Sequence, residues 1–138
     1  MRIMAIDYGD AHTGIAISDP TGFLAGYTTT INAYRAEVVV EQIASLAEEY
    51  SVEELVLGHP INMDGTRGPR SEKAHAMKQL LEERLSLPVI LWDERRTTID
   101  AHQILFHNGK NAKKRKQVVD AVAASLILEG YLTYKKSH

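Results

Sequence analysis

Residues 1–9, MRIMAIDYG, run from an apolar stretch straight into Asp7 and Gly9, and residues 14–18, GIAIS, make a second β-type run a few positions later. The polar, glycine-containing stretch from Gly9 to Thr13 joins them, which predicts a β-hairpin with Asp7 at the mouth of its first strand. An apolar run of four residues ahead of a carboxylate is too short for the core of an export signal, so this start reads as a strand.

Outward from the hairpin, a third strand is expected after Pro20–Gly22, from about Leu24 to Ile31. Between Ala36 and Tyr50 the apolar positions Val39, Ile43, Leu46 and Ala47 recur at helical spacing, with Glu41 and Glu48 elsewhere on the circumference, so an amphipathic helix is expected. The short run Glu54 to Gly58 reads as a buried strand that opens into a loop from His59 to Gly68. Pro69 suits the first turn of a helix whose apolar stripe is Ala74, Met77, Leu80, Leu81 and Leu85. Pro88 separates it from a strand at Val89 to Trp92. Thr97 and Asp100 resemble a capping box opening a helix that carries Ile104 and Leu105 and stops at Asn108-Gly109. A basic loop and a final helix from Val118 to Tyr131 complete the chain. The order predicts one α/β domain over residues 1–138, a five-stranded mixed sheet flanked by helices on both faces, because strands alternating with helices pair in parallel.

With 138 residues, 44% of them hydrophobic, the chain can bury a core without a metal to staple it. There is no cysteine, which excludes disulfides, thiolate zinc sites and thiol nucleophiles and favours a cytoplasmic setting. No apolar run reaches the length of a membrane span, so a soluble protein with no membrane partner is expected. A net charge of −2 gives no global attraction to polyanions, and nucleic-acid binding must come from a local patch. Residues 101–119 contain no acid but hold Lys110, Lys113, Lys114, Arg115 and Lys116, with Arg95 and Arg96 upstream. Glu41, Glu48, Glu49, Glu53 and Glu54 show the opposite bias, so one cationic and one anionic side are expected. The basic run equally suits a solvated loop.

Asp7 and Glu94 each follow an apolar strand, and ligands of open α/β sheets gather at the carboxyl ends of strands. Asp120 lies among Ala121, Ala123 and Ala124, small residues that let a helix approach a sheet edge closely. Three converging carboxylates repel unless cations neutralise them, and hard oxygen donors select Mg²⁺ or Mn²⁺. Two such ions would support hydrolysis of a phosphodiester without a covalent intermediate. Each acid also has an ordinary explanation: Asp7 as a turn residue, Asp120 as the helix partner of Lys116, Glu94 as a surface partner of Arg95 or Arg96.

The blocks IDYGDAHTGIAISDP, LVLGHPINMDGTRGPRSEKA, PVILWDERRTT and KKRKQVVDAVAASLIL, in that order, resemble the YqgF (RuvX) family of Holliday junction resolvases and pre-16S rRNA nucleases, from Met1 to about Tyr134. The resemblance implies a ribonuclease H-like fold, and its metal-binding and catalytic acids fall on Asp7, Glu94 and Asp120. It also draws in Asn62, Asp64 and Gly65, Thr97 and Thr98, and Arg70, whose guanidinium would clamp a phosphate. The implied partners are precursor ribosomal RNA, ribosomal precursor particles or branched DNA, gripped by Arg70, Arg95, Lys113, Lys114, Arg115 and Lys116; the chain would act as a monomer or a homodimer.

Two segments depart from the family pattern. Asp10-Ala11-His12 stands where Thr or Ser and basic residues are usual, so Asp10 either adds a carboxylate or replaces a cationic contact. His59 stands where Leu is usual, an acid/base candidate or an incidental loop histidine. Two other functions compete. Asp7-x-Gly9 in a hairpin also resembles the phosphate-binding hairpin of actin-like and sugar kinases, although those need two lobes and this length supplies one. A non-catalytic RNA-binding maturation factor would use the basic segment alone, but has no reason to concentrate acids where phosphate must lie.

Overall fold

The computed structural model describes residues 1–22, 25–60, 68–93 and 112–137, with side chains of the last segment described from residue 121 to 136. Its elements are β1 (Arg2–Asp7), β2 (His12–Ser18), β3 (Ala25–Asn32), α1 (Ala36–Glu49), β4 (Val52–His59), α2 (Pro69–Arg84), β5 (Val89–Asp93) and α3 (Ala112–Ser137). The helix expected after Asp100 lies outside the described residues.

The strands form one sheet in the order β3-β2-β1-β4-β5. β1 pairs antiparallel with β2, as the hairpin requires, and β2 antiparallel with β3. β1 pairs parallel with β4 and β4 parallel with β5, the outcome expected where helices link successive strands. The central strand is buried on both faces, which explains why residues 3–6 are continuously apolar rather than alternating.

Alternation along the strands then divides the core in two. Met4, Ile6, Ile15, Ile17, Leu55 and Leu57 point to one face, against Val39 and Ile43 of α1 and Met77 and Leu81 of α2. Ile3, Ala5, Ala16 and Val56 point to the other, against Ala124, Ile127, Leu128, Tyr131 and Leu132 of α3. Truncating a fully buried Leu such as Leu57 or Leu81 would cost about 2–5 kcal/mol. Helices on both faces and a mixed five-stranded sheet match the expected architecture.

Three local expectations change. α3 begins at Ala112, so Lys113, Lys114, Arg115 and Lys116 belong to its first turns and not to a loop. Ala, Lys, Arg and Gln are all strong helix formers, and the stretch has no Gly or Pro to stop them. α3 also lies across a sheet face and not at an edge, with Ala5 and Ala16 of the sheet adding to the room expected from Ala121, Ala123 and Ala124. Glu54 does not join an anionic surface: it is 5% exposed and faces α3, because β4 begins at Val52 and the two-residue period puts Glu54 in the row of Val56.

Candidate active site

Asp7 closes β1 and, following Ile3 and Ala5, stands on the α3 face of the sheet. Gly14 of β2 is its cross-strand partner. On its other side, Ile6 pairs with Leu57, so the next residue of β4 is Gly58, itself paired with Trp92 of β5. A row Thr30, Gly14, Asp7, Gly58 and Trp92 thus crosses the sheet at this level, with a residue lacking a side chain on each flank of the carboxylate. Among the described residues no cation or hydrogen-bond donor pairs with the Asp7 carboxylate.

α3 is fastened at the opposite end of the sheet. The Tyr131 hydroxyl donates to Glu54 Oε1, and Lys135 Nζ donates to Glu54 Oε2 at 2.9 Å. Burial, reinforced by that hydrogen bond, pushes the Tyr131 phenol well above its ordinary range. Lys135 also lies 3.9 Å from Met1 Sδ. Trp92 and Tyr134 close an aromatic cluster with Tyr131 around Gly130, where an added Cβ would stand 3.3 Å from the Trp92 ring. This end of the helix went unnoticed in the sequence, although an acid in a strand and a Tyr and Lys four apart on a helix were signals for it.

His59 is the last residue of β4 and 6% exposed, not a loop residue. It follows Leu55 and Leu57, so it points to the α1/α2 face, away from Asp7, and this geometry removes it as an acid/base candidate beside the Asp7 carboxylate. Its Nε2 and Ser71 Oγ share a 2.6 Å hydrogen bond, and the His75 ring meets it edge-on at 4.8 Å between centroids. Asp10 is likewise turned toward α2, bonded to Lys73 Nζ at 2.7 Å, which accounts for the acid at that position as a tie between hairpin and helix. Burial raises the Tyr8 phenol beside this pair, with Lys73 opposing the shift.

Arg70 is exposed in the first turn of α2, just after Pro69 at the helix start. The positive end of the helix dipole disfavours a cation there, and no acid pairs with it among the described residues. Of the expected site, Glu94, Arg95, Asn62, Asp64, Gly65, Thr97 and Thr98 lie outside the described residues. Asp120 lies on α3, four positions before Ala124. The side chains of Asp120 and of the four basic residues before it are not among those described. Among the described residues no three His, Asp or Glu side chains form a metal-holding group, and Asp7 alone of the three expected ligands belongs to that set. No helix among them is long and apolar enough to cross a membrane.

Comparison with known proteins gives matches along nearly the entire chain. A family model described as "RuvX: Holliday junction resolvase" matches residues 1–134. A Halothermothrix orenii protein named "Putative pre-16S rRNA nuclease" is 46% identical over 135 residues, covering 98% of this chain and 96% of its own. A protein of the same name from Acetivibrio thermocellus is 46% identical over 138 residues, covering 98% and 97%. In fold, the chain is similar to Thermus thermophilus RuvC solved with a Holliday junction substrate, with a TM-score of 0.64 at 12% identity over 99% of this chain and 96% of that one. It is similar also to the large terminase nuclease of phage G20c, with a TM-score of 0.58 at 11% identity over 95% and 81%. A ROK hexokinase from Thermus thermophilus shares the fold at a TM-score of 0.50, but over only 38% of its own length.

Proposed function

The chain belongs to the RuvX family, and from that premise we propose that it is a metal-dependent nuclease that hydrolyses phosphodiester bonds in structured nucleic acid, maturing the 5′ end of pre-16S rRNA in the cytoplasm. The observation that carries the mechanism is the half-buried Asp7 carboxylate, held by the β-ladder between two glycines with no partner among the described residues. A carboxylate in that position is a hard oxygen donor available to a divalent cation.

Support for a shared site with Asp120 comes from the path of α3. Lys135 stands beside Met1, and from there back to residue 120 the helix covers about 22 Å, while β1 covers about 20 Å from Met1 to Asp7. Position 120 of the helix and Asp7 are thereby carried toward the same end of the sheet, which supports reading them as parts of one site. Glu94 follows directly after β5 in the sequence, next to Asp93 at the end of that strand. Oxygens of Asp7, Glu94 and Asp120 would hold Mg²⁺ or Mn²⁺, a fit made by an all-oxygen donor set in a chain without cysteine. Activation of a water and neutralisation of charge on the leaving oxygen are the chemistry such ions supply when bound.

The chain's own residues bind and orient the substrate. Arg70 takes a backbone phosphate in bidentate fashion, and Lys113, Lys114, Arg115 and Lys116, at the start of α3, hold the strand beyond it together with Arg95. The choice of precursor rRNA follows the two relatives at 46% identity. A second reading, resolution of four-way DNA junctions, is favoured by the description of the family itself. It would need two sites and hence a twofold dimer, whereas a monomer suffices for trimming one RNA end.

The test is to incubate the purified protein and Asp7→Asn with a 5′-extended 16S precursor fragment and with a four-way DNA junction in Mn²⁺, measuring molar mass alongside. The expected result is shortening of the RNA by the unaltered protein alone. Equal cleavage by Asp7→Asn defeats the carboxylate mechanism, and paired nicks in the junction with intact RNA establish the second reading.

A further inference from the structure

We infer that His59 is a positioning residue for the phosphate contact of Arg70, which it controls through Ser71 from the face of the sheet opposite Asp7. This rests on Arg70 contacting phosphate as set out above. The observations are local and independent of the metal site. β4 delivers a buried imidazole to the α1/α2 face at its last residue, and α2 presents Ser71 and His75, one helical turn apart, against that ring. Ser71 is 1% exposed, so the 2.6 Å bond is sealed from water. The bond joins the carboxyl end of β4 to the first turn of α2, at the residue directly after Arg70.

Arg70 itself has nothing else to orient it among the described residues. The cap residue Gly68 makes no side-chain hydrogen bond to the helix, and no described acid holds the guanidinium. The direction in which Arg70 leaves the helix is therefore fixed by how α2's first turn is seated, and His59 with Ser71 forms the buried polar contact that seats it, beside the exposed tie of Lys73 to Asp10. β4 also pairs His59 with Asp93, the residue before Glu94, so the same strand end that carries His59 abuts the strand leading to the expected metal ligand. A loose first turn would leave Arg70 attached but wandering, weakening substrate binding more than chemistry. A histidine that merely fills the core would affect stability and leave the contribution of Arg70 unchanged.

The experiment measures binding of a 5′-extended 16S precursor fragment to protein carrying Asp7→Asn, so that no cleavage intervenes. To this are added Arg70→Ala, His59→Leu, His59→Gln, Ser71→Ala and the pair Arg70→Ala with His59→Leu. Arg70→Ala and His59→Leu are each expected to weaken binding about tenfold, the size of one charge-assisted hydrogen bond, and the pair no further. His59→Gln, whose amide can still reach Ser71, recovers most of the loss. Ser71→Ala repeats the effect of His59→Leu without disturbing the ring, and decides the matter if the Leu variant fails to fold. Additive losses, or unaltered binding by both His59→Leu and Ser71→Ala, overturn the positioning role while leaving the Arg70 contact intact. A neutral Arg70→Ala overturns the phosphate contact and the positioning role with it.

Discussion

Asp7 and His59 end neighbouring strands at the same end of the sheet yet point to opposite faces, Asp7 toward α3 and His59 toward α2. Bond cleavage should therefore not depend on an imidazole proton. With cleavage-competent protein at saturating RNA, His59→Gln is expected to keep kcat within about threefold, whereas Asp7→Asn should lower it by about a thousandfold or more, comparable to other losses of transition-state charge stabilisation. Single-turnover rates of precursor cleavage make the comparison; a collapse of kcat in His59→Gln would return the histidine to the chemistry.

Placing the basic residues on a helix gives them a fixed pitch. Lys113, Lys114, Arg115 and Lys116 fall within the first turns of α3. Replacing Lys113, Lys114, Arg115 and Lys116 by Gln should weaken RNA binding and flatten the plot of log affinity against log salt, by up to about 0.7 for each phosphate of single-stranded RNA that is no longer neutralised. An unaltered slope would show these side chains to be solvated. Helicity should hold, since Gln is also a good helix former.

Glu54 is a buried carboxylate satisfied by Tyr131 and Lys135, so removing one partner leaves a deficit. Tyr131→Phe should lower the unfolding free energy by about 1.5–3 kcal/mol in urea titration, the range for a hydrogen bond to a charged group. The pH dependence has a definite sign. The Tyr131 phenol is raised in the folded state, so its contribution is complete below the ordinary tyrosine value near 10 and is lost as pH rises through the folded value. Unfolding curves from pH 8 to 11 should show stability falling above about pH 10, with a shallower fall in Tyr131→Phe.

Gly130 lies within α3, where alanine would ordinarily gain about 1 kcal/mol of helix propensity. Here the added Cβ meets the Trp92 ring, which is itself packed against Tyr131 and Tyr134. Gly130→Ala is therefore expected to forfeit that gain, and Gly130→Val to destabilise by about 1–3 kcal/mol through overpacking. Thermal melts test the order; a more stable Gly130→Val would show the aromatic cluster to be loose.

Much of this was legible in the chain because the signals are short in range. Residues 3–6 announce a central strand, Val39, Ile43 and Ala47 an amphipathic helix, and Pro69 a helix start, and each appears within two residues of its expected bounds. Asp7 was legible for the same reason, as a polar residue ending an apolar run. What was misjudged depends on partners distant in sequence: Glu54 reads as surface charge until Tyr131 and Lys135 are brought to it, and His59 reads as loop until Ser71 extends the ordered end of β4. The start of α3 was missed for another reason, since a run of like charges suggests a solvated loop although the same residues favour helix.

The bare backbone on either side of Asp7 makes a demand of its own. A methyl group at position 14 would stand roughly 5 Å from the Asp7 Cβ, and one at position 58 would lie in the same row on its other flank, each taking up space beside the carboxylate. In a saturation library scored for growth, the two positions with no side chain to lose should prove as intolerant as the acids, and a designer who wished to silence the protein without touching a charged residue would begin there.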